Sequence, residues 1–149
     1  MDLPTILSSG VVAGLVAGLV TLRTSERKIA IENITQQRQQ WREKIRDVAQ
    51  RIKSSYKNDE KEELQSQYVE MQLLLNPEDV DDRSILDTIW SMTEESSPGA
   101  LHIELAEKLS LLLKHDWERA KREAKPVWYR RSEIKRVSYN EFKSKRVSS

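Results

Sequence analysis

A chain of 149 residues with 25 basic and 24 acidic side chains is about one domain long, and its net charge of +1 argues against a protein that coats nucleic acid along its whole length. It contains no cysteine, which excludes disulfides and thiolate zinc sites and suits a reducing compartment. With 33% charged and 38% hydrophobic residues, the composition predicts solvent-facing amphipathic helices around a modest core of Leu, Ile and Val.

Residues 3–22, LPTILSSGVVAGLVAGLVTL, carry no formal charge. As a helix rising about 1.5 Å per residue this run measures roughly 30 Å, the thickness of a bilayer's hydrocarbon core. It predicts a single transmembrane span with Pro4 near its start, where a missing N–H costs nothing. A cleaved signal peptide is the rival, but the opening MDLPT lacks a basic leader. Arg23, Arg27 and Lys28 follow the run against the single Glu26, so the positive-inside rule puts this flank in the cytoplasm and the N-terminus outside. Gly10, Gly14 and Gly18 stand four apart, three of the chain's four glycines, with Ala13 and Ala17 on the adjacent row. Small residues at this spacing let two helices approach closely in lipid, and they mark a packing face for another copy or a partner membrane protein.

Past the flank, Ile31, Arg38, Ile45 and Ile52 fill one heptad position, and Ile34, Trp41, Val48 and Ser55 the other. One helix is expected to run from the membrane to about Tyr56, its stripe facing either other helices of the chain or a coiled-coil partner. The charged run KNDEKEE at 57–63 suits a turn and the acidic start of a second helix bearing Leu64, Tyr68, Met71 and Leu75. Asn76 and Pro77 read as cap and first residue of a third helix carrying Val80, Ile85, Leu86, Ile89 and Met92, with Trp90 a further candidate. SSPG at 96–99 breaks it. A fourth helix, from about Pro98 to Lys125, presents Leu101, Leu105, Leu109, Leu112, Leu113, Trp117, Ala120 and Ala124 and ends at Pro126. Its charged second half is expected to reach past the thickest part of the core. Short connections favour an up-and-down bundle, whose last stroke would return the chain to the membrane side.

The tail, residues 126–149, carries Arg130, Arg131, Lys135, Arg136, Lys143, Lys145 and Arg146 against Glu133 and Glu141, with Trp128, Tyr129, Tyr139 and Phe142 interleaved. Such a segment suits anionic lipid headgroups, each basic residue near the surface contributing on the order of 1 kcal/mol. RNA or an acidic protein face would suit it too, and a plain solvated tail is the bland alternative.

Nothing in the chain spells a reaction. His102 and His115 lie in no metal-binding spacing, and His115 and Asp116 point about 100° apart on a helix. There is no glycine-rich phosphate loop or nucleophile elbow, and the carboxylate pairs Glu62–Glu63, Asp81–Asp82 and Glu94–Glu95 lack an apolar surround to raise a pKa. No cofactor or metal is expected.

The succession of a spanning helix, W-R-x-x-I-R at 41–46, L-L-N-P at 74–77 and D-W-E-R-x-K-x-E at 116–123 resembles small, uncharacterised single-pass membrane proteins of bacteria and their phages, over roughly residues 5 to 125. The resemblance implies a bacterial inner membrane and no assigned activity, with phage defence as one possible context. The expectation is therefore an all-α protein with a transmembrane anchor and flank at 1–28, a cytosolic antiparallel helical bundle at 29–125 and a basic aromatic tail at 126–149. The expected function is non-enzymatic interaction or assembly. The alternatives are a membrane-disrupting effector or small channel, and a tethered nucleic-acid-binding protein.

Overall fold

The computed structural model of the protein describes residues 3–94, 99–125 and 134–148, and the side chains of residues 3–12, 27 and 30 fall outside what it describes. Among the described residues there are five helices and no strand: α1 (Leu3–Lys57), α2 (Lys61–Leu74), α3 (Val80–Glu94), α4 (Leu101–Glu123) and α5 (Tyr139–Val147). The chain divides into two compact units, Met1–Trp41 and Arg42–Ser149.

The first unit is the leading part of α1. Its described apolar side chains up to Ile34 are exposed, from Leu15, Val16, Leu19, Val20 and Leu22 to Ile29, Ile31 and Ile34, and Trp41 at its end is half-buried. Thr21, Thr24 and Thr35 donate their hydroxyls to the carbonyls of Ala17, Val20 and Ile31, one turn back. Among the described residues no helix is long and apolar enough to cross a membrane. The span expected from the sequence begins at Leu3, and the side chains of its first half, residues 3–12, lie outside the described set.

The second unit is a helical bundle built on the heptad stripe of α1. Ile45, Val48 and Ile52 are fully buried, and they meet a core made by Leu64 and Met71 of α2, Ile85, Ile89 and Met92 of α3, and Leu105, Leu109 and Leu112 of α4. Pairings fix the directions. Ser55 bonds Gln67 while Arg51 and Lys44 reach Glu70, so α2 runs against the end of α1. Asn76 meets Asp82 and the Tyr68 ring meets Trp90, which reverses α3 against α2. Arg42 pairs with Asp116 at one end and Tyr56 with Gly99 at the other, so α4 runs against α1. The antiparallel bundle follows.

The α1–α2 and α2–α3 connections have local causes. After α1, the Glu60 amide donates to the Ser55 carbonyl and the Asp59 amide to Tyr56, a closure that places Asp59 at φ 58°, the left-handed region usually filled by glycine. Asn76 and Pro77 do not start α3, as the sequence suggested. Pro77 occupies a turn closed by the Asp79 amide on the Asn76 carbonyl, Asn76 Oδ1 accepts from Glu78, and Asp79 is the cap, accepting from the amides of Asp81 and Asp82. Val80, expected inward, is 70% exposed as a result of this later start, and Trp90 and Trp117 are also exposed.

Candidate functional site

Two features of the second unit were absent from the apolar pattern, and both lie where the C-terminal segment meets α3 and α4. The first is a carboxylate cluster at the start of α3. Asp79 and Asp82 are already committed to backbone amides there, Asp82 Oδ2 accepting from Asn76 at 2.9 Å. Arg136 closes the cluster: its Nη1 lies 2.5 Å from Asp82 Oδ1 and 3.3 Å from Asp79 Oδ1, and its Nε lies 3.9 Å from Asp81. The Arg136 side chain is only 11% exposed and that of Asp82 only 8%. An arginine fits this position because its fixed fork can serve several carboxylates at once.

The second feature is Lys108, a buried amine on a face that otherwise holds leucines. Its Nζ lies 2.7 Å from Thr88 Oγ1, 3.1 Å from the Ser84 carbonyl and 2.8 Å from Glu104 Oε1. Three donors thus have three acceptors. Above the amine, 5.0 Å away, stands the Tyr139 ring. The Tyr139 hydroxyl donates to Glu107 Oε2 at 3.0 Å, and Glu107 Oε1 takes Arg146. Burial first, and then the bond to Glu107, pushes the Tyr139 phenol up to about 12. A phenol held protonated and an amine with every proton engaged form a clasp rather than a nucleophile and its base.

α5 itself is held lightly. Ser138 caps it by accepting from the Glu141 amide, yet no residue of the helix is buried. An open cleft of about 500 Å³ lies along it, with Ile103, Ala106, Leu111, Val137 and Phe142 among its lining. Lys145 pairs with Glu141 inside the helix, Lys143 lies over the Tyr139 ring, and Lys135 is exposed. Of the tail residues expected to bind lipid or a partner, Arg136 and Arg146 are therefore engaged by carboxylates of the same chain. Trp128, Arg130 and Arg131 lie outside the described residues.

The glycine face on α1 is a site of a different kind. Ala13, Gly14, Ala17 and Gly18 are all exposed, and a Cβ added at Gly14 or Gly18 would meet nothing within 4 Å. No described contact of the chain therefore requires glycine at either position. Arg23 is exposed and Lys28 stands 4.0 Å from Glu32, whereas Arg27's side chain and Gly10 lie outside the described set.

His115 and Asp116 do not form a dyad. Asp116 accepts from Arg42 Nε at 2.5 Å, and Arg42 also lies over the Trp117 ring, 5.6 Å from its centre. Among the described residues no group of three or more His, Asp or Glu side chains could hold a metal ion. The S-x-x-E string at 138–141 was the one local sign of α5, a capping box ahead of a helix. No local sign existed for Arg136 finding Asp82, since the two are 54 residues apart. The chain matches no known protein family, no curated protein and no solved structure.

Proposed function

We propose that the protein is a non-enzymatic, membrane-anchored interaction or assembly subunit, its uncharged N-terminal helix packing against another helix in the bilayer and its bundle presented on the cytoplasmic side. One observation carries this reading: glycine stands at positions 14 and 18, where a side chain would have open space, between apolar residues that are 55% to 64% exposed. A solvent-facing helix gains about 0.8–1.0 kcal/mol per position from alanine over glycine, so glycine here has a use outside the chain. Close approach of a second helix is that use in lipid. Thr21 fits the same setting, because its hydroxyl is satisfied by the Ala17 carbonyl within the helix. The anchor, the orientation set by Arg23, Arg27 and Lys28, and a bacterial inner membrane form one account with it.

Crosslinking of the full chain in native membranes tests the proposal. Replacing Gly14 with Leu should lower the yield of the crosslinked assembly at unchanged expression; an unchanged yield and size would overturn the glycine face. Dye leakage from cells expressing the protein would instead favour the pore reading. Retention of the chain on nucleic acid at low salt, lost steeply as salt rises, would favour the nucleic-acid reading.

A further inference from the structure

We infer that α5 is a displaceable basic arm, pinned at Arg136, that leaves the α3–α4 face for an anionic lipid surface. The inference deepens the membrane reading and rests on it for the nearness of lipid. Its ground is the contrast within one short segment. Arg136 is shielded and shared among Asp79, Asp81 and Asp82, whereas the next nine-residue helix buries no side chain and borders an open cleft. What keeps α5 in place is mostly charge and one phenol: Arg146 and Tyr139 on Glu107, with Tyr139 also over the Lys108 amine. The Arg146 side chain is 72% exposed, so its ion pair is screened by salt and weak.

The arm is also built for the other surface. Lys143, Lys145 and Arg146 stand beside Tyr139 and Phe142, whose rings stack at 6.5 Å. Cations near an anionic leaflet gain on the order of 1 kcal/mol each, and aromatic rings seat at the headgroup level. Glu141 is the arm's one acid, and Lys145 neutralises it in place, holding its carboxyl below the usual range. On lipid Arg146 exchanges Glu107 for headgroups, and Lys143 and Lys145 meet headgroups beside it, while the Arg136 pin remains on its three carboxylates.

Because the chain has no cysteine, dyes on Ser144→Cys in α5 and Ser91→Cys in α3 report their separation in the otherwise full-length protein. The separation should lengthen on vesicles containing phosphatidylserine and stay unchanged on pure phosphatidylcholine. Glu107→Gln should lower the anionic vesicle concentration for half-release roughly two- to fivefold, the range of one exposed ion pair. Lys143→Glu with Lys145→Glu should keep the arm docked on the same vesicles. A separation that never changes, that changes equally on neutral lipid, or that answers single-stranded RNA but not anionic vesicles overturns the inference. Flotation with neutral vesicles at high salt reports the anchor separately. A chain that fails to float contradicts the membrane reading, while the arm's response to added anionic vesicles still decides the inference.

Discussion

One helix carries the same kind of residue into two different environments. Ile45, Val48 and Ile52, in the second unit, have no exposed surface, while Ile29, Ile31 and Ile34, upstream in α1, are 51% to 57% exposed. The spacing of isoleucines on α1 thus announces an apolar stripe without saying what covers it. In the bundle, residues from α2, α3 and α4 join the buried core with it; over residues 13–34 no described residue of the chain buries it. The difference puts the buried core in the second unit and exposed apolar side chains in the first.

Core truncation is the largest way to sharpen that contrast. Met71→Ala or Ile89→Ala should each cost about 2–5 kcal/mol in urea unfolding, because each side chain is fully enclosed. Leu19→Ala, at a position 60% exposed, should stay within about 0.5 kcal/mol in the same assay on detergent-free protein. An equal loss at Leu19 would mean that the chain itself covers that face. Next comes Asp82→Ala, which removes both the Arg136 contact and the acceptor for the Asn76 amide. A loss of about 2–3 kcal/mol is expected, less than for an isolated buried pair because Asp79 and Asp81 still face Arg136.

Titration separates the bundle's two edges. Hydrogen bonds from Lys44 and then Arg51 hold the Glu70 carboxyl below its ordinary value. Its contribution is therefore present above the ordinary carboxylate range and is lost as pH falls through the depressed value. Tyr139 behaves oppositely: its phenol rises from 10.0 to about 12, so its contribution is full below 10.0 and is lost as pH climbs from there to about 12. Acid should thus loosen α1 from α2, and alkali should loosen α5 first, followed by phenolate absorbance. Removing Tyr139 with Phe should abolish the alkaline phase. The smallest effect is a gain. Asp59→Gly should stabilise the bundle by about 1 kcal/mol, since the aspartate sits at a left-handed φ of 58°. No change would mean that Asp59 has a compensating contact.

The bundle was legible in the sequence wherever apolar spacing and chain breakers decide structure. The heptad seam marked Ile45, Val48 and Ile52 as one stripe, open between a coiled-coil partner and the chain's own helices; the bundle buries it, and the expected end of the first helix at Tyr56 falls one residue short of Lys57. Misses came where a polar group acts through a distant partner. Gln67 is buried because Ser55 accepts its amide and Lys108 because Thr88, Ser84 and Glu104 surround its amine, while Arg136 is shielded because three aspartates sit at a helix start. Such pairings depend on which elements meet, and no local period encodes that. The tail looked like a uniform basic segment for the same reason. Its division into a shielded pin and a light helix emerges only once α3 and α4 are in place. The four-residue spacing of the glycines was visible in the sequence, and a Cβ at Gly14 or Gly18 would meet nothing within 4 Å, so a use for that spacing belongs to the proposal.

Whether the Gly14–Gly18 face meets another helix is read from the mass of the full-length protein in a gentle detergent. An assembly larger than one chain is expected, alone or with a copurifying membrane protein, and it should fall to a single chain when Gly14 and Gly18 are both replaced by Leu. A single chain for the unaltered protein, or the same large mass for both, would contradict it.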